Sequence, residues 1–131
     1  MTAPSGLVMV AEDDPINAEL FQDLLESQGW KVDLAEDGEV ALAKIAASHY
    51  DLLLLDLHMP KIDGVDVLRR LQRGDIDRPA RIVVVTADLL YGIREDLANL
   101  GADALLSKPV DIGALLRILA DAEAHPAGAA S

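Results

Sequence analysis

Four apolar stretches of this chain run directly into residues able to do chemistry. Leu7-Val8-Met9-Val10-Ala11 ends in Glu12-Asp13-Asp14, and the four leucines from Leu52 to Leu55 end in Asp56. The β-branched run from Ile82 to Val85 ends in Thr86, and Ala104-Leu105-Leu106 is followed by Ser107-Lys108. Carboxylates gathered from such ends would repel one another and favour protonation unless a cation sat among them. An all-oxygen donor set in a chain without cysteine suits Mg²⁺, which takes one or two carboxylates and keeps waters that a phosphate can replace. Lys108 would add a fixed positive charge and Thr86 a hydroxyl donor, enough to stabilise phosphoryl oxygens during transfer to or from an aspartate. Asp56 is then the candidate phosphoacceptor, with Glu12 and Asp13 as metal ligands. Asp14, followed by Pro15, reads as a helix cap.

These residues meet only if the strands that carry them are parallel and side by side. Leucines bounded by Asp51 and Asp56 read as a strand buried on both faces, as at the centre of a parallel sheet. Ile16, Leu20, Phe21, Leu24 and Leu25 recur at helical spacing up to a stop at Gly29. Trp30 to Ala35 reads as a strand with Trp30 packing at its base, and Asp37-Gly38 as a turn before a helix over 39–48. Met59 to Gly64 must be a loop, and Val65, Leu68 and Leu71 mark a third helix. After the strand from Arg81 to Thr86, Ile93, Leu97 and Leu100 outline a fourth helix ending at Gly101. Ala104 to Leu106 is a short strand, and Ile112, Leu115, Leu116 and Leu119 form a last helix that Asp111 can cap. This alternation predicts an α/β fold, a flavodoxin-like doubly wound sheet of five parallel strands in the order 2-1-3-4-5 with five helices. Glu12, Asp13, Asp14, Asp56, Thr86 and Lys108 all fall at the same sheet edge.

Composition narrows the function classes. At 131 residues the chain is long enough to bury a core without disulfides or metals as staples. Its net charge of −12 repels phosphate backbones and anionic membrane, so neither nucleic-acid nor membrane binding is expected. No basic residue stands in Met1 to Gly6 and no long apolar run follows, so a cytoplasmic protein is expected. The expected organisation is an N-terminal extension over 1–6, one domain over 7–121 and a disordered tail over 122–131.

Val10-Ala11-Glu12-Asp13-Asp14, Leu55-Asp56-Leu57-His58-Met59-Pro60 with Gly64, Val85-Thr86-Ala87 and Ser107-Lys108-Pro109 together resemble the receiver domains of two-component response regulators, the CheY-like group, over about residues 6 to 120. The resemblance implies a phosphoprotein in which Asp56 accepts a phosphoryl group from a sensor histidine kinase or a histidine phosphotransfer protein. It implies Mg²⁺ held by Asp13, by Glu12 through water, by Asp56 and by the His58 backbone carbonyl. Thr86 would close onto the phosphoryl group, Lys108 would pair with it, and the Lys108-Pro109 bond would be cis. Helix one looks most like single-domain receivers of the DivK type and receivers attached to hybrid kinases. Output would be phosphorylation-dependent binding of a downstream protein target by a monomer or weak homodimer. Such a domain supports its own phosphorylation and dephosphorylation without being an enzyme in the usual sense.

One position departs from the pattern. Where many receivers carry a switch aromatic this chain has Leu105, so a ring flipping behind Thr86 is not available; Tyr91 would lie nearby. Leu89, Leu90 and Tyr91 read equally as core or as part of a docking face. Other uses of the same residues are a phosphorelay shuttle or phosphate sink, and an aspartyl-phosphate phosphatase of the haloacid-dehalogenase type. The phosphatase needs a second aspartate two residues after the nucleophile, where this chain has His58. A flavodoxin-like cofactor binder is disfavoured because Glu12-Asp13-Asp14 would repel a phosphate after strand one.

Overall fold

The computed structural model describes residues 6–57, 59, 63–74, 76–87, 93–108 and 110–124, and of 93–95 and 121–124 the backbone alone. Strands and helices alternate as β1 (Gly6–Ala11), α1 (Pro15–Ser27), β2 (Trp30–Ala35), α2 (Gly38–Ala47), β3 (Leu52–Asp56), α3 (Gly64–Gln72), β4 (Arg81–Thr86), α4 (Ile93–Asn99), β5 (Ala104–Ser107) and α5 (Ile112–Ala124). The strands form one parallel sheet in the order β2-β1-β3-β4-β5, as the alternation predicts.

Successive strand side chains point to opposite faces, and two cores result. Met9, Leu53, Leu55, Ile82 and Val84 pack with Ala41 and Ile45 of α2, Val67 and Leu68 of α3 and Leu97 of α4. Val8, Val10, Leu52, Leu54, Val83 and Val85 pack with Phe21 and Leu25 of α1 and Leu115 and Leu119 of α5. β3 is buried along its whole length. Each of its leucines therefore contributes roughly 1.5–3 kcal/mol of burial, which fixes the strand at the sheet centre.

Side-chain oxygens satisfy the amides that begin helices and strands. Asp14 accepts from Ile16 N at 2.9 Å, Asp37 from Val40 N at 2.8 Å and Asp63 from Asp66 N at 2.9 Å, capping α1, α2 and α3. At α5, Gly113 N donates to Asp111 Oδ1 at 2.9 Å. The opposite edge of the sheet from the candidate site is tied by acids as well. Leu7 N donates to Asp51 at 3.0 Å, and Ile82 N and Arg78 Nη2 donate to Asp103 at 2.8 and 3.0 Å. Buried Tyr50 donates its hydroxyl to Asp33 at 2.6 Å.

Trp30 is buried at the start of β2, as expected. Two boundaries differ from the sequence expectation. β1 begins at Gly6, and α5 continues to Ala124, beyond the domain limit expected at 121. Small and polar residues with Pro126 and Gly128 point to a tail from about Ala122, but Ala122 and Ala124 are strong helix formers and carry the helix on. Residues 125–131 of the expected tail lie outside the described residues.

Candidate functional site at the carboxyl edge of the sheet

Strand parity decides which acids meet. Glu12 continues the Val8, Val10 series and Asp56 the Leu52, Leu54 series, so both emerge on the α1–α5 side of the sheet. Lys108 follows Leu106 on that same side. Glu12 and Asp56 are each 4% exposed, whereas Asp13 is exposed. Carboxylate oxygens of Glu12, Asp13 and Asp56 lie within 4.8 Å of one another. The Lys108 ammonium reaches into this group, donating to Glu12 Oε1 at 3.2 Å and Asp56 Oδ2 at 3.0 Å. Its backbone is anchored independently, because Lys108 N donates to Thr86 O at 2.9 Å. Glu12 is further held by Asp14 N, which donates to Oε2 at 3.3 Å.

Burial pushes the Glu12 carboxyl up to about 7, helped by its hydrogen bond to Asp56 and by the Asp56 charge; the Asp14 amide and Lys108 pull the other way. Burial also works against the Lys108 ammonium, but its bonds and attraction to Asp56 and Glu12 outweigh that and hold its pKa above the ordinary lysine value. One ammonium thus faces three carboxylates, and burial first, with the Asp56 hydrogen bond and charge added to it, favours the protonated form of Glu12. The donor set fits a hard divalent cation: it is all oxygen, close-set and under-neutralised, with Asp13 open to solvent.

Thr86 ends β4 one residue beyond Val85, the register partner of Asp56, and is fully buried. Its parity groups it with Ile82 and Val84, facing the α2–α4 layer. Leu105 packs, partly buried, against that same layer. His58, Pro60, Leu89, Leu90, Tyr91 and Pro109 lie outside the described residues, so the His58 carbonyl, the Lys108-Pro109 bond and the docking role of residues 89–91 fall there too.

Two neighbours of Asp56 escape sequence reasoning. Phe21 looks like one more apolar residue of α1, yet it closes the floor beneath the carboxylates. Gly64 looks like loop punctuation, yet a Cβ there would stand 2.7 Å from both the Asp56 carbonyl oxygen and Leu57 Cα. Gly64 N also donates to Leu57 O at 2.9 Å, so α3 begins pressed against the backbone that leaves Asp56. Because both obstacles are backbone, Gly64→Ala is expected to destabilise the protein by about 1–3 kcal/mol, read from urea unfolding, and to displace amide resonances of Asp56 and Leu57.

Residues 8–120 match the family described as response regulator receiver domain. The polar-differentiation response regulator DivK of Brucella ovis is 32% identical over 105 residues, covering 80% of this chain and 85% of that protein. A segment of the sensor protein EvgS of Escherichia coli O157:H7 is 36% identical over 116 residues, 88% of this chain and 10% of that much longer protein. Among solved structures, the receiver domain of a Francisella response regulator superimposes with a TM-score of 0.84 at 27% identity, covering 91% of this chain and 97% of that one. The receiver domain of a sensor histidine kinase from Pseudomonas aeruginosa, with a magnesium ion coordinated in its active-site cleft, gives 0.81 at 30% identity, with coverage of 93% and 99%. With strand order, acid cluster and lysine in agreement, this chain belongs to the receiver-domain family of response regulators.

Proposed function

We propose that this protein is a single-domain response regulator in which Asp56 accepts a phosphoryl group from a sensor histidine kinase or a histidine phosphotransfer protein. The observation that carries the reading is the single ammonium of Lys108 bonded to both Glu12 and Asp56 among three close-set carboxylates. An Asp56 oxygen forms a bond to phosphorus as the bond from phosphorus to the donor's histidine nitrogen breaks. Lys108 shifts from two carboxylates to the phosphoryl oxygens, and Thr86, at the end of β4, supplies a hydroxyl to them. Glu12, Asp13, Asp56 and the His58 backbone carbonyl would hold Mg²⁺, which when bound supplies positive charge against the phosphoryl oxygens. Receiver domains are signalling domains, generally not classed as enzymes, and here the output would be altered binding of a downstream protein. The likeness to DivK over most of that protein's length supports the single-domain reading. The charge of −12 supports protein partners rather than nucleic acid or anionic membrane, and a chain without cysteine fits the cytoplasm. No described helix is long and apolar enough to cross a membrane. The test is intact mass after incubation with a small phosphodonor and Mg²⁺; one acid-labile phosphoryl group on the wild type and none on Asp56→Ala is expected, and equal labelling of the two would sink the assignment.

The donor's approach is marked by a groove of about 630 Å³ between α1 and α5, whose walls include Leu20, Phe21, Leu24, Ile112 and Lys108. Among the described residues the large exposed apolar side chains are Ile16, Leu20 and Ile112, and the last two line this groove. Lys108 joins it to Asp56, so an apolar helix face of the phosphodonor seated here would bring its histidine to the acid cluster. Leu20→Asp is expected to slow transfer from a phosphotransfer protein about tenfold more than it slows labelling by a small phosphodonor. Stopped-flow or gel-based transfer assays read that ratio.

A second use of the same site, as a relay shuttle, is supported by the likeness to a sensor-protein segment. Return of label from phosphorylated Asp56 to a phosphotransfer histidine would distinguish it.

A further inference from the structure

Beneath the acid cluster lies a void too small to admit a water molecule, and its walls include Val10, Glu12, Leu54, Asp56, Val85 and Phe21. Apart from Glu12, one residue beyond β1, the other walls belong to the sheet; Phe21 alone comes from a helix. Phe21 is 9% exposed, and it also lines the open α1–α5 groove. Phe21 therefore borders both the open groove and the void beneath Glu12 and Asp56.

We propose that Phe21 is a positioning residue that seals the floor of the acid site, keeping water from reaching Asp56 from the sheet side. The inference rests on the reading of Asp56 as phosphoacceptor. Water excluded from that side cannot attack the acyl carbon of the phosphoaspartate, releasing phosphate, or solvate the reacting carboxylate, so the acyl phosphate is exposed to water only from the open edge. A smaller residue would join groove and void into a wet channel, because the sheet residues around it are fixed by strand pairing and cannot close inward. Leucine would still fill most of the ring's space.

The test labels the full chain with a small phosphodonor and Mg²⁺, then follows loss of the phosphoryl mass after the donor is removed. Phe21→Ala is expected to shorten the half-life about tenfold, Phe21→Leu to restore it to near wild type. Leu25→Ala is the control for general loosening, since Leu25 is fully buried in the same core one turn along α1 and lines neither groove nor void. Equal half-lives in Phe21→Ala and wild type, or equal shortening in Phe21→Ala and Leu25→Ala, would overturn the proposal. Amide hydrogen exchange at Asp56 and Leu57 in unphosphorylated protein gives a reading that does not depend on labelling. Faster exchange there in Phe21→Ala than in Leu25→Ala supports the seal, and no difference rejects it. If the wild type takes no phosphoryl group, the phosphoacceptor reading fails separately, and the exchange comparison still decides whether Phe21 keeps the floor dry.

Discussion

Asp56→Asn is expected to lose all phosphoryl uptake and, in metal-free buffer, to unfold at higher urea than the wild type. The loss is complete because an amide offers no carboxylate oxygen to bond phosphorus. The gain comes from the charges around it. Lys108 is shared at 3.2 and 3.0 Å between Glu12 and Asp56, so removing one of the three close-set acids reduces the excess of negative charge and leaves Lys108 to Glu12. Glu12 then loses the neighbour that helps keep its proton on. The lost Lys108–Asp56 bond offsets part of this, and a net stabilisation of about 1 kcal/mol at neutral pH is expected. Saturating Mg²⁺ should stabilise the wild type more than the variant, which lacks one of its ligands. A variant that is less stable than wild type without metal would show that the acid cluster is not strained.

The metal-free protein should become less stable as pH rises from about 4.5 to about 7. Glu12 has an ordinary value of 4.5 and is pushed up to about 7 in the fold, first by burial and then by Asp56. Between those values the folded chain holds more protons than the unfolded one, so stability falls with rising pH. The contribution is full below 4.5 and is lost as pH passes through about 7; for a shift of this size it amounts to about 3 kcal/mol. Urea unfolding across that range checks it, and Glu12→Gln should flatten the curve because the amide does not titrate. With Mg²⁺ present the trend should reverse, since an ion that needs deprotonated carboxylates binds better as pH rises. An unchanged slope in Glu12→Gln would assign the pH dependence to other groups.

The architecture was legible because hydrophobic pattern is local. Four leucines between two aspartates, a β-branched run at 82–85 and helical spacing along α1 each follow from residues close in sequence, and their alternation leaves few topologies. The acids were legible for a related reason: each stands at the end of such a run, and parallel strands deliver their ends to one edge. Less of the environment was legible. Nothing in Phe21 as a letter distinguishes it from Leu20 or Leu25, because which apolar residue touches a functional group depends on helix rotation against the sheet. Gly64 likewise read as a turn residue; its tight approach to the Asp56 backbone arises between segments that fold together only once α3 has docked.

The sequence by itself determined the sheet order, the central place of β3 and the gathering of Glu12, Asp13, Asp56 and Lys108 at its carboxyl edge, since these depend on periodicity and chain direction. Only the tertiary structure decided how the charges are shared. Burial, strand parity and the reach of one lysine gave Lys108 to both Glu12 and Asp56, and placed Phe21 under them. Those are distances between residues far apart in the chain, and no local pattern encodes them.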